Sequence, residues 1–312
     1  MPPSPRLSLR AMAAFAATVE AGSIAGAARQ LNIAASAVAA AVDQVEAEVG
    51  AALLVRTRAK GIAPTGEGRV LAARFRALLE DCDSVLEDAR AGAATLSGQL
   101  RIGYYAPVAP AFLPGLLIPL QRANPGLEVT LTDCSADEAQ ASLLAGRLDL
   151  ILFAAAPVRA GIATRKLLDL PPYALAPLGH PITRGGATLA DMAAYPLVLL
   201  DRPVAEPYVT ALFRDRGLSP NIAARANTTE MVRSLVGAGA GLAVLNMRPR
   251  TDRSYAGDGV TSVPLADVLP PITLLLGRAE GRPKRAVAVV QDLLLAWAEG
   301  PKARELIVSQ KG

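Results

Sequence analysis

Between Thr65 and Ala91 the residues Leu71, Phe75, Leu78, Cys82, Val85 and Ala89 return at intervals of four, three, four, three and four. The same stretch also carries Arg74, Arg76, Glu80, Asp81, Asp83, Glu87, Asp88 and Arg90. A mean spacing of 3.5 places the apolar set on one seam of a long helix, and such a seam on a charged helix is buried by pairing with a second helix. The pattern therefore predicts self-association through residues 66–91. It also cuts the 312-residue chain into a short first part and a long second one, in line with the ~150 residues of a typical domain.

Ahead of the seam, Leu9, Met12, Phe15, Ala16 and Val19 recur at helical spacing, and Gly22 stands where a helix stops in the left-handed region. Ser23 caps a second helix over Ile24 to Leu31, and after the Asn32-Ile33 turn a third runs from about Ala35 to Val49. Leu53 to Arg56 and Ile62 to Pro64 flank a polar turn and read as a two-stranded wing. The whole is a winged helix-turn-helix. Beyond the small, polar segment Gly92 to Gly98, strands and helices alternate. Leu100–Tyr104, Glu128–Thr132 and Leu148–Phe153 are strands around helices at 112–122 and 137–145. A second series follows, with strands at 197–200, 222–226 and 242–245 around helices at 208–216 and 229–238. Two α/β lobes result. The run Ile272 to Leu276 and a last helix from about Pro283 to Glu299 return to the first lobe.

Composition narrows the chemistry. Cys82 and Cys134 are the only cysteines and His180 the only histidine, so neither a disulfide framework nor a four-cysteine zinc site exists, and most histidine catalysis is excluded. No metal site and no cofactor are expected. No run nears the ~20 apolar residues of a membrane span, and the start of the chain lacks the apolar core of a secretion signal, which predicts a cytoplasmic protein. The net charge of +4 permits a nucleic-acid partner without requiring one.

Particular strings carry a resemblance. In the first part they are Phe15 with Val19-Glu20, Gly22-Ser23-Ile24 with Ala27-Ala28 and Leu31, Val45-Glu46 to Glu48-Val49-Gly50, and Leu53, Arg56, Thr65 and Gly68. In the second they are Leu144 to Leu150, His180-Pro181, Glu230-Met231-Val232 and Gly239 to Leu242. In this order and spacing the chain resembles the LysR-type transcriptional regulators over nearly its whole length. The resemblance implies an α/β protein with an N-terminal winged helix-turn-helix, a long linker helix and a two-lobed effector domain like the periplasmic binding proteins. It sets a DNA-binding domain at 1–65, a pairing helix and hinge at 66–98, and an effector domain at 99–300. Lobe I then comprises about 99–168 and 272–300, and lobe II about 169–271. It also implies double-stranded promoter DNA and a small-molecule effector as partners, and a homotetramer assembled from dimers.

The third helix departs from the family pattern. It reads Ala34-Ala35-Ser36-Ala37-Val38-Ala39-Ala40-Ala41-Val42-Asp43-Gln44, where members usually present serine, arginine, glutamine or proline. Base edges are read by hydrogen-bonding side chains, and alanine offers only contact with a thymine methyl. Residues 1–65 hold six basic and four acidic side chains, a net +2 that is small for a phosphate binder. Two readings follow. In one, Ser36 and Gln44 with the wing residues Arg56, Arg58 and Lys60 bind DNA and draw specificity from shape and half-site pairing. In the other, the chain is a soluble small-molecule-binding module that has lost strong DNA binding. Polar residues restored at Ala39, Ala40 and Ala41 discriminate the two.

In open α/β sheets ligands bind beyond the carboxyl ends of strands. The loops there are Tyr104–Pro110, Asp133–Asp137, Asp201–Pro207 and Ala226–Glu230, with Asn246 after a fifth strand. Tyr105, Ser135, Arg202 and Thr228 are the candidate polar contacts, with Tyr208 and Asn246 behind them. Each has a plainer role available: Ser135 and Thr228 as helix caps, and Arg202 paired with Asp201, Glu206 or Glu230. The glycines at 237, 239 and 241 follow a helix and precede a strand, the reverse of a dinucleotide fingerprint, and read as a helix stop. Nothing asks for catalysis.

Overall fold

A computed structural model describes residues 7–57, 61–90, 95–154, 157–184 and 187–308. The chain divides into two compact units. The first comprises residues 1–100 with 124–128 and 141–149, and the second the remainder.

In the first unit α1 (Leu9–Ala21), α2 (Ile24–Leu31) and α3 (Ala35–Val49) are bounded by their caps. Ser8 and Ser23 accept from the Ala11 and Gly26 N–H groups at 3.1 and 3.0 Å, and Gly22, Asn32 and Gly50 close the helices at φ of 61°, 54° and 74°. Phe15 of α1 meets Val42 and Val45 of α3 in one core cluster, and Ala14, Ala17, Ala27, Ala28 and Val38 form another. Small side chains at these contacts let the three helices approach closely. β1 (Leu54–Thr57) and β2 (Gly61–Pro64) pair antiparallel as the wing. Glu46 of α3 fixes it: its Oε1 accepts from the Leu53 and Leu54 N–H groups at 2.7 and 2.9 Å. Thr65 caps α4 (Gly66–Arg90), and at Gly68 any Cβ would stand 2.1 Å from the Leu53 carbonyl.

The pairing seam of α4 is shorter than its spacing implies. Phe75 is buried against Phe15 at a ring separation of 6.0 Å, and Leu71 packs on the same cluster. The three-helix core needs a lid, and the first turns of α4 supply it. Leu78 and Leu86 are the exposed apolar residues farther along. The side chains of Val85 and Ala89 lie outside the described residues.

In the second part of the chain β3 (Ser97–Tyr104), α5 (Leu113–Ala123), β4 (Gly126–Asp133), α6 (Ala136–Leu144), β5 (Leu150–Ala154) and β6 (Ile162–Leu170) follow in order. Next come β7 (Tyr173–Pro177), α7 (Leu189–Ala193), β8 (Leu197–Leu200), α8 (Ala205–Arg214), β9 (Ile222–Ala226), α9 (Thr229–Gly237), β10 (Ala243–Leu245) and β11 (Val260–Pro264). β12 (Ile272–Ala279), α10 (Arg285–Glu299) and α11 (Pro301–Arg304) close the chain.

The first lobe is the sheet β4-β3-β5-β12-β6, in which β12 runs antiparallel to both neighbours. Every residue of β5 is buried, as a central strand covered on both faces requires. The second lobe joins β10-β7-β11 to the parallel pair β8-β9 through a bridge from Leu197 to Leu242. Gly241 sits at φ 151° with the Pro196 carbonyl 2.2 Å from where a Cβ would be, which explains the glycine-rich stop after α9. The chain crosses between lobes twice, at 171–172 and again between β11 and β12. The sequence reading assigned nothing between 154 and 196, where β6, β7 and α7 lie, and it also missed β11.

Candidate functional site

α3 buries Val38, Val42 and Val45 and exposes Ser36, Ala40, Asp43, Gln44 and Ala47. Ser36, Ala40 and Gln44 stand four residues apart on one face. Ala41 packs on the second core cluster and Ala39 is half-buried, so of the three alanines singled out above only Ala40 is a surface position. No side chain caps the start of α3, where Ala34 is the N-cap and Ala34 to Ala37 are exposed. Glu46 is engaged in the wing rather than displayed on the surface. Arg56 lies in β1, paired through its backbone with Ile62, while Arg58 and Lys60 lie outside the described residues.

The second unit contains a cleft of about 340 Å³. Ala106 to Ala111 of the loop after β3, Asp133 at the end of β4, Arg202 after β8, Asn227 to Glu230 before and into α9, and Met247 after β10 all contribute to its wall. These are the five strand ends anticipated from sequence. A narrow inner end, with a volume of about 10 Å³, is lined by Tyr105, Leu200, Thr229, Asn246 and Ile272, among others. It holds one water at most.

Arg202 does not pair with Asp201, Glu206 or Glu230. Its two Nη groups donate to the two carboxylate oxygens of Asp133 at 2.9 and 2.7 Å, from one lobe to the other. The bidentate fork is the strong geometry for this pair, and Asp133 holds the Arg202 guanidinium further above its usual range. Glu206 instead faces Arg225 at 3.6 Å. Tyr105 is buried, and burial pushes its phenol up to about 12, so it stays neutral beside the Arg202–Asp133 pair.

Three candidates have other work. Ser135 donates to Glu138 Oε2 at 2.7 Å and accepts from the Glu138 N–H at 3.3 Å, a reciprocal cap on α6. Tyr208 donates to the Pro270 carbonyl at 2.7 Å, and Asn246 Nδ2 donates to the Leu170 carbonyl at 2.9 Å and to the Tyr208 oxygen at 3.3 Å. Leu170 and Pro270 flank the two crossovers, so Tyr208 and Asn246 brace the connection between lobes. Asn246 also lines the narrow end. Thr228 caps α9, accepting from the Met231 N–H at 3.2 Å, and lines the cleft as well.

Sequence reasoning missed Arg233. Its side chain is 1% exposed; Nε donates to Glu230 at 3.1 Å, and Nη2 donates to the Thr251 and Arg253 carbonyls at 2.7 Å each. The other oxygen of Glu230 accepts from the Tyr255 N–H. Together they staple the loop after β10 to α9, and Pro249, Thr251 and Tyr255 of that loop form a further wall of the cleft. The signal was present as a Glu-x-x-Arg pair on α9, at a spacing that brings two side chains together.

His180 is structural: its Nδ1 accepts from the Ile182 N–H at 3.3 Å and its ring meets Tyr195 edge-on. Cys134 is buried, and burial raises its thiol pKa. No helix among the described residues is long and apolar enough to cross a membrane.

Comparison with known proteins adds the following. Residues 9–69 match the family of bacterial regulatory helix-turn-helix proteins of the lysR type, and residues 93–299 match the LysR substrate binding domain. The HTH-type transcriptional regulator TtuA of Agrobacterium vitis is 28% identical over 84% of this chain and 86% of its own. The nitrogen assimilation regulatory protein nac of Klebsiella aerogenes is 31% identical over 77% of this chain and 78% of its own. Among solved structures, HinK, a LysR family transcriptional regulator from Pseudomonas aeruginosa, is 30% identical with a TM-score of 0.61, covering 94% of this chain and 98% of that one.

Proposed function

The chain belongs to the LysR family of transcriptional regulators, and from that premise we propose which parts of it perform the regulation. α3 enters the major groove of promoter DNA with Ser36 and Gln44 toward the bases, and Arg56, Arg58 and Lys60 of the wing hold phosphates or the minor groove. The uncapped start of α3 suits this use. Its first-turn N–H groups carry the positive end of the helix dipole, and alanine side chains leave them open to a phosphate, which offsets the small net charge of the domain. Specificity then rests on DNA shape and half-site pairing more than on base contacts.

The cleft binds a small-molecule effector, whose presence changes the closure of one lobe on the other and hence the placement of paired DNA-binding domains. The single observation that carries this reading is the 340 Å³ cleft at five strand ends, with Arg202 and Asp133 joined across it. Residues of α4 from Leu78 onward pair two chains, pairs assemble into a homotetramer, and the protein works in the cytoplasm.

The test is anisotropy of full-length protein on DNA from its own upstream intergenic region, against a scrambled duplex of equal length at physiological salt. Saturable nanomolar binding that exceeds the scrambled control supports the reading. Equal, micromolar binding to both by a folded oligomer refutes it.

A further inference from the structure

Resting on the effector reading above, we propose that the cleft's ligand is a small organic anion whose carboxylate takes the place of Asp133 on Arg202, so that binding the ligand and breaking the lobe-to-lobe ion pair are one event.

The argument begins with which charges can move. Arg202, Arg233, Asp133 and Glu230 line the cleft, two of each sign, so the wall is neutral as it stands. Arg233 and Glu230 are fixed by the loop they staple, and the Arg233 side chain is 1% exposed. Arg202 is 16% exposed and cannot return to water without unpacking, whereas Asp133 is 38% exposed at the rim. Of the four, Asp133 is the one that can swing out and be solvated. Arg202 left behind then requires another anion, because a mostly buried guanidinium without a partner is costly. A ligand with one carboxylate restores both the neutrality and the fork geometry.

Unfilled donors point the same way. Arg202 Nε and Arg233 Nη1 are buried and have no hydrogen-bond partner among the described residues, and the same holds for Thr229 Oγ1. All three residues line the cleft. Buried polar groups are ordinarily satisfied, so donors left open beside a cavity mark where an acceptor-rich ligand belongs. Pro107, Val108, Pro110, Met247 and Pro249 supply apolar wall for the rest of the ligand. Asp133 thus occupies the site in place of the effector, and exchange of one carboxylate for another lets modest affinity drive the switch.

The test uses matched fragments, benzoate with benzamide and succinate with succinamide. Binding to full-length protein is followed by saturation-transfer NMR and by shifts in thermal melting. Asp133→Asn removes the internal competitor and is expected to tighten carboxylate binding tenfold or more, with the amides unchanged. Arg202→Gln abolishes the preference for carboxylates. Arg202→Lys, which keeps the charge and loses the fork, serves where the glutamine variant does not fold and is expected to abolish it too. Carboxylates and amides bound equally well by Asp133→Asn, or a carboxylate preference that survives at Arg202→Lys, would overturn the proposal while leaving an effector cleft in place. Fragments of neither kind binding to any of these proteins would overturn the cleft reading itself, and the proposal with it.

Discussion

Arg233→Met separates a structural staple from an ordinary surface arginine. Methionine keeps the apolar stem and removes the three nitrogens that hold Glu230 and the Thr251 and Arg253 carbonyls. Hydrogen bonds of charged groups contribute ~1.5 to 3 kcal/mol each, but Glu230 and the loop carbonyls regain water when the staple goes. Breaking such a buried pair from one side costs about 3 to 5 kcal/mol. At ~2 to 4 °C per kcal/mol for a unit of this size, the melting temperature of the sensor falls by roughly 6 to 20 °C. Calorimetry of the full-length protein reads this, and limited proteolysis should place a new cut within residues 248–258. Glu230→Gln should cost less, since an amide oxygen still accepts. The double variant should show a coupling of about 1.5 kcal/mol or more in a thermodynamic cycle. A melting temperature within 2 °C or so of wild type for Arg233→Met would refute the reasoning, because a buried, triply bonded guanidinium cannot be removed so cheaply.

Other perturbations probe the remaining elements. Gly68→Ala drives a methyl into the Leu53 carbonyl and should destabilise the DNA-binding unit by about 3 kcal/mol or more, read as a loss of helix signal on mild heating. Tyr208→Phe removes the hydroxyl that joins Pro270 to Asn246 and should cost ~1 kcal/mol in chemical denaturation, while its effect on fragment binding shows how far the crossovers govern lobe closure. Cys134 is buried with its thiol pKa raised, so a disulfide reagent at neutral pH should label Cys82 first and Cys134 only on unfolding; equal rates would show that Cys134 is reachable.

The sequence disclosed what rests on local rules. Helical spacing with Ser8, Ser23, Gly22 and Gly50 at the ends located α1 to α3 closely, and alternation located the strands whose ends line the cleft. It failed where tertiary packing decides. The heptad seam gave no sign that Phe75 would be taken by Phe15 of the same chain, because spacing reports a face and not the partner that covers it. β7 went unread because Tyr173 to Pro177 is a short, fully core-facing run without alternation. Within the cleft, Arg202 was legible from its place after a strand, but its partner was not. Asp133 lies 69 residues away, and no local pattern joins them. Tyr208 and Asn246 were drawn to the cleft by position, yet both are held by backbone carbonyls at the crossovers.

The measurement closest to the central claim is the salt dependence of operator binding by wild type and two paired variants. Arg58→Ala with Lys60→Ala removes two phosphate contacts and should flatten the slope of log affinity against log salt by about 1.8, at ~0.9 per phosphate. Ser36→Ala with Gln44→Ala should leave that slope unchanged and narrow the gap between operator and scrambled DNA. Slopes and gaps unmoved in both pairs, with folding intact, would contradict the assignment of α3 and the wing as the surface that reads DNA.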